Sequence, residues 1–138
     1  MRYFKIYKYI FTIELVENSI NNENRSNIIN KKYASYKTNR FKILSIEHMI
    51  TGELLNNIYS YKTGDIITEN ITYFMSKERA FFEYDYKYFE GSYQLIDKLY
   101  YVEFFIQHNL IYCGMHRSWN DSGKLIEEFF HNNGNIFN

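Results

Sequence analysis

From residue 40 onward the chain is cut into apolar runs of about five residues or fewer by isolated glycines and Asn/Asp-rich turns. Runs this short cannot make a membrane-spanning helix, which would need roughly 20 apolar residues. The stretches that begin at Gly52, Gly64, Asp97 and Gly123 share one pattern: a turn residue, a charge, two apolar residues, a short mixed stretch, then apolar residues again. Gly91 and Gly114 open two further elements ahead of Glu103-Phe104-Phe105 and Glu128-Phe129-Phe130, with the turn Asn120-Asp121-Ser122-Gly123 longer by two residues in the second unit. Glycine reaches positive φ cheaply, and Asn-Asp-Ser-Gly between apolar runs is hairpin chemistry. The spacing therefore predicts consecutive antiparallel β-hairpins, each too small to close a core and stacked on its neighbours. Leu125, Glu127 and Phe129 against Ile126, Glu128 and Phe130 put apolar and charged residues on both faces. This favours an elongated twisted sheet, covered by aromatics on each side, over a sandwich with one clean inner face.

Composition supports an all-β fold. There are 15 Tyr, 12 Phe and no Pro in 138 residues, and large rings suit a pleated, half-buried surface. The length corresponds to one ordinary domain. Sixteen basic and sixteen acidic side chains cancel, which weighs against a nucleic-acid partner held by phosphate contacts. The single Cys excludes an intramolecular disulfide and favours an intracellular setting. The Lys-salted start lacks the small-residue cleavage site of a signal peptide.

The organisation divides at residue 35. Residues 1–35 read as an N-terminal strand segment, with a helical spacing of Phe4, Tyr7, Phe11 and Leu15 as the competing pattern. An Asn-dominated stretch over 18–27 follows, expected to be a mobile loop or linker. Residues 36–138 read as the hairpin-repeat region. Within it, Ser76 is placed to cap a single helical turn near 76–80, and a strand is expected over 82–88.

The segment from Gly114 to Gly134, with Trp119, the Asn120–Gly123 turn, Lys124-Leu125, Glu127-Glu128 and Phe129-Phe130, resembles MORN-type repeats. The likeness is to the divergent hairpin repeats of YwqK-like antitoxin components and of giant-virus repeat proteins. It extends, in degraded form, over about residues 40–138. The resemblance implies a non-catalytic module used for protein scaffolding and, less directly, for attachment to lipid head groups.

The chemistry-bearing residues point the same way. His108, Cys113, His116 and His131 could supply zinc ligands, but their spacing matches no compact metal motif, and in a continuous strand Cys113 and His116 face opposite sides. No cofactor is expected. Ser118, His116 and Glu127 lack the strand-turn-helix setting of an activated nucleophile, and adjacent Glu127 and Glu128 point apart. No catalytic site is assigned. Tyr84, Tyr86, Tyr88, Phe89, Tyr93, Tyr100 and Tyr101 could stack on bases, yet without a basic excess they are better read as rings tiling the hairpins. Arg2, Lys5 and Lys8 beside Tyr3, Phe4 and Tyr7 leave a membrane-lipid contact open; an edge strand protected by its lysines is the plainer reading. The sequence thus predicts a protein-binding or scaffolding surface on the exposed hairpin face, with Tyr93, Arg117 and Trp119 as contacts because these residue types dominate interface hot spots. The alternative is a small closed β-barrel with an apolar ligand inside.

Overall fold

A computed structural model describes residues 1–49, 51–83 and 117–128 in full and, beyond these, the strand backbones over 91–94, 100–105, 109–116, 129–132 and 135–137. The described residues are antiparallel β almost throughout, as the turn pattern predicts. The first hairpin joins β1 (Arg2–Ile6) to β2 (Tyr9–Leu15). A polar loop leads to the long β3 (Ser35–His48), then to β4 (Leu54–Leu55), the small hairpin of β5 (Asn57–Ile58) and β6 (Tyr61–Lys62), and β7 (Ile66–Phe74). The short helix α1 (Lys77–Phe81) precedes β8 (Gly91–Gln94), β9 (Tyr100–Phe105), β10 (Asn109–Trp119), β11 (Leu125–Asn132) and β12 (Asn135–Phe137).

The first sheet has the order β2-β1-β7-β3-β4, and β2 also pairs with β3. Strands β1, β2, β3 and β7 therefore close into a ring. Strand β3 makes this possible by pairing with β7 over Ser35–Lys42 and with β2 over Phe41–His48. The last link is the single pair Tyr3–Phe74. Two register shifts bend the ladders, one between Thr12 and Ile13, the other between Thr38 and Arg40. They also change which residues face inward. The buried positions Tyr36, Thr38, Phe41, Ile43 and Ile46 step by two except across the two shifts, where they step by three. Without the bulges the alternation would turn half of these side chains to solvent. Inside the ring Phe4 lies 4.6 Å from Phe11 and 5.2 Å from Phe41, centroid to centroid. Each such ring stabilises the fold by roughly 1.5–3 kcal/mol through burial.

Strands on both sides of residue 35 thus share one sheet. The helical spacing in residues 3–17 is not used; a two-residue turn at Tyr7-Lys8 folds the segment into a hairpin. Helix α1 then covers the outside of that hairpin. Ser76 caps it, its hydroxyl accepting from the Arg79 N–H at 3.1 Å, and Ala80 packs with Ile10 and Phe74. Both faces of β2 are consequently buried at Ile10, Phe11, Thr12 and Ile13. The strand expected over 82–88 falls, from residue 84, outside the described residues.

The Asn-rich stretch is not a linker. Glu23 accepts from Arg2 at 2.6 Å and from the Tyr73 hydroxyl at 2.6 Å, and Asn21 bridges to Thr38. Asn22 and Asn39 accept the Lys37 and Ile20 N–H groups. Short carboxamides satisfy backbone donors that a loop would otherwise leave to water, so low apolar content did not prevent packing.

The second sheet runs β12-β11-β10-β9-β8, a strictly consecutive antiparallel series. Gly114 lies within β10, opposite Tyr100 on one side and His131 on the other, so it is a strand residue and not a corner. The two repeat units are offset in register: Gly91 faces Phe104, whereas Phe129 faces His116, two residues past Gly114. A shift of two keeps every side chain on its face.

The turn between β10 and β11 docks on the first half of the chain. Asn120 Oδ1 accepts from Ser122 N and Lys124 N, shaping the turn. The Ser122 carbonyl accepts from Ile29 N and Asn30 N, and the Asp121 carbonyl from Ser35 N and from Arg25 Nη2 at 2.6 Å. Gly123, at φ 92°, sits so close to this segment that a Cβ would lie 2.2 Å from the Asn30 carbonyl oxygen. Gly52 (φ 71°) and Gly64 (φ 95°) have open space around them.

Gly123→Ala is expected to destabilise the protein by about 2–3 kcal/mol or more, through a clash with backbone as well as strain, whereas Gly64→Ala costs only the strain, about 1–2 kcal/mol. Urea unfolding of the two variants checks the difference. The hydrogen bond from Arg2, followed by that from Tyr73, holds the Glu23 carboxyl below its ordinary value of 4.5 against the opposing effect of burial. The Glu23 contribution is therefore complete above about pH 4.5 and is lost as pH falls through the lower folded value. Glu23→Gln should cost about 1 kcal/mol at pH 7, and the gap to wild type should narrow in urea midpoints measured toward pH 3.

Candidate functional site

Trp119 does not lie on an exposed face. It is 8% exposed and stacks on Tyr33 with ring centroids 4.8 Å apart and planes 3° from parallel. Phe82 meets it edge-on at 5.7 Å, and the Arg79 guanidinium lies 5.5 Å from the indole and 4.5 Å from Phe74. Arg79, itself 5% exposed, donates from Nε to the Tyr33 carbonyl and from Nη1 to Glu83. Arg117 bridges Glu78 and Glu128 at 2.8 and 2.7 Å, and Glu78 accepts from the Tyr33 hydroxyl. Trp119 and Arg117 therefore lock the end of β10 to α1 and to the segment before β3. Their large contact area and bidentate charge, the properties that recommend them for an interface, are spent inside the molecule. The Tyr93 side chain lies outside the described residues.

The other candidates divide similarly. The side chains of His108, Cys113, His116 and His131, and those of the run Tyr84 to Tyr101, also lie outside the described residues. The basic N-terminal stretch turns inward: Arg2 binds Glu23, and Lys5 Nζ donates to the Phe81 and Glu83 carbonyls at 3.1 and 2.8 Å. With β2 on one side and β7 at Tyr3 on the other, β1 is not an edge strand. Among the described residues no helix is long and apolar enough to cross a membrane. The closed ring has the shape expected for a ligand barrel, but its own aromatic side chains fill the interior.

A different surface stands out. Two hairpins carry the same four-residue pattern, Ile6-Tyr7-Lys8-Tyr9 and Ile58-Tyr59-Ser60-Tyr61. In each, the outer pair is in register and the inner two residues make the turn. Tyr7 (φ 53°) and Tyr59 (φ 55°) occupy the first turn position in the left-handed region, where such turns prefer glycine. The two rings meet edge-to-face at 5.7 Å. Tyr9 extends the cluster, 6.1 Å from Tyr59 and 5.6 Å from His48, both edge-on. Tyr59 remains 58% exposed.

Burial, aided by Tyr9, raises the Tyr59 hydroxyl, which stays protonated at neutral pH. Burial and the Lys8 charge lower His48, so its ring is neutral at pH 7. The Thr51 N–H donates to Nδ1, which places the ring proton on Nε2. The cluster offers ring faces, phenol donors and a neutral imidazole, and holds no activated nucleophile. No protein-family model, curated protein or solved structure matches this chain.

Composition and hydrophobic periodicity did not mark the site, because a Tyr at a hairpin tip looks like another strand residue. The repeated Ile-Tyr-X-Tyr pattern was the available signal. Tyr59→Gly relieves about 1–2 kcal/mol of left-handed strain and forfeits about 0.5–1.5 kcal/mol of ring contact, so stability should stay within about 1 kcal/mol of wild type. Phe41→Ala, by contrast, should cost about 3–5 kcal/mol. Thermal and urea unfolding of both variants make the comparison.

Proposed function

We propose that the chain is a non-catalytic protein-binding module and that Tyr7, Tyr9 and Tyr59, with His48 beside them, form its contact surface. The observation that carries this reading is the backbone at Tyr7 and Tyr59. Both rings are held at hairpin tips where the fold itself would be better served by glycine, and strained positions of this kind cluster at binding and catalytic sites. Tyrosine supplies large amphipathic contact area at low conformational-entropy cost, which suits recognition of another protein. The consecutive strands β8 to β12 serve in this reading as a scaffold, in keeping with the resemblance to MORN-type repeats. Trp119 and Arg117 hold the molecule together and are not part of the contact surface.

Placing a photo-crosslinking phenylalanine analogue at Tyr59 tests the assignment. Specific protein adducts should form in native extract, disappear under excess wild-type protein and persist under excess Tyr7→Gly/Tyr59→Gly protein. At least a tenfold loss of competition is expected of that double variant, equivalent to about 1.4 kcal/mol. Equal competition by the folded double variant would refute the surface.

A further inference from the structure

Strand β1 pairs with β7 at one position, Tyr3–Phe74. Past that pair the two strands are no longer joined, and a hollow of about 240 Å³ lies between Phe4 and Ile6 of β1 and Ile71 and Thr72 of β7. Tyr61, from the β5–β6 hairpin, borders the same hollow. Its ring meets Phe11 at 5.4 Å and Phe4 at 6.2 Å, both edge-on. Its hydroxyl donates to Glu69 of β7, 2.8 and 2.9 Å from the two carboxylate oxygens. At this seam a side chain stands where the ladder stops.

The hairpin that carries Tyr61 is lightly tied to the ring. Strands β5 and β6 pair only with each other. The bonds from Thr63 N to Asn56, from Asp65 N to Lys62 and from the Thr63 hydroxyl to the Leu55 carbonyl stay within the hairpin and its base. None of residues 56–63 is buried. Ile58 and Tyr61 rest on the core, and Tyr59 touches Tyr7 and Tyr9. A two-stranded hairpin is marginal on its own, so this one is held by those ring contacts and by the bond from Tyr61 to Glu69. Just past it, Gly64 at φ 95° has nothing within 4 Å of where a Cβ would stand, which leaves the chain room to turn.

We propose that the β5–β6 hairpin is a strap that opens and closes over the β1–β7 seam while the rest of the ring stays folded, with Tyr61 as its latch. Segments with few buried contacts open locally at a fraction of the global unfolding free energy. Opening bares Phe4 and Phe11 and parts Tyr59 from Tyr7 and Tyr9. Closure therefore assembles the tyrosine cluster. That consequence rests on the reading of the cluster as the contact surface; the strap itself does not.

Native-state amide exchange of the full ¹⁵N-labelled chain, followed by NMR at low urea, tests the strap without any partner, so its failure is distinct from a failure of the crosslinking. The Tyr61 and Thr63 amides should exchange through one shared opening, about tenfold or more faster than the β2 and β3 amides and with a weaker urea dependence. Tyr61→Phe keeps the ring and removes the hydroxyl, while Glu69→Ala removes the acceptor from an exposed position. Each should speed strap exchange about fivefold, the worth of one net hydrogen bond. The double variant should do no more than either alone, because both remove the same bond. The proposal is overturned if the strap amides show no protection or exchange only with global unfolding of the ring. It is equally overturned if the two variants leave strap exchange unchanged or act additively.

Discussion

Strand β3 is shared between two partners, and the first half of the molecule depends on that sharing. Its early residues pair with β7 and its later ones with β2, overlapping only at Phe41 and Lys42. The two partners take opposite edges of β3, and closing the ring through β1 requires its ladders to curve instead of running on as a flat sheet. The two register shifts bend the ladders and reset the phase. Phe41, Ile43 and Ile46 then all reach the same interior, and β1 can be enclosed between β2 and β7. The core is small but dense in aromatics, which compensates for the few apolar residues a chain of this length can enclose.

The same economy explains why interface-type residues are found in the interior. Trp119, Arg79 and Arg117 join β10, α1 and the segment before β3, while the carbonyls of the Asn120–Gly123 turn accept from Ile29, Asn30, Ser35 and Arg25. A Trp stacked on a Tyr and crossed by a guanidinium gains energy whether the partner belongs to another chain or to this one. Residue type alone does not distinguish the two cases. Gly123 makes the contact possible, since any side chain there would meet the Asn30 carbonyl.

One surface remains after these internal contacts, at the His48 end of β3. The tyrosine cluster combines exposure with backbone strain at Tyr7 and Tyr59. Tyr61 sits behind it, its hydroxyl pushed up to about 12 by burial and by donation to Glu69, so it remains a neutral structural donor between β6 and β7.

Local chemistry in the sequence was enough to establish antiparallel strands, the Asn120–Gly123 turn and the helical turn capped by Ser76, because hairpin glycines, side-chain caps and short apolar runs act over a few residues. It also contained, unread, the Ile-Tyr-X-Tyr pattern of the two tyrosine turns. Pairing partners were a different matter. Whether β3 continues beside β2 or crosses to β7, and whether an Asn-rich loop is solvated or stitched to a strand, is decided by contacts between residues tens of positions apart. Periodicity carries no record of such contacts. Trp119 is buried and Tyr59 exposed for that reason: the fate of each ring was set by what the closed sheet brought next to it.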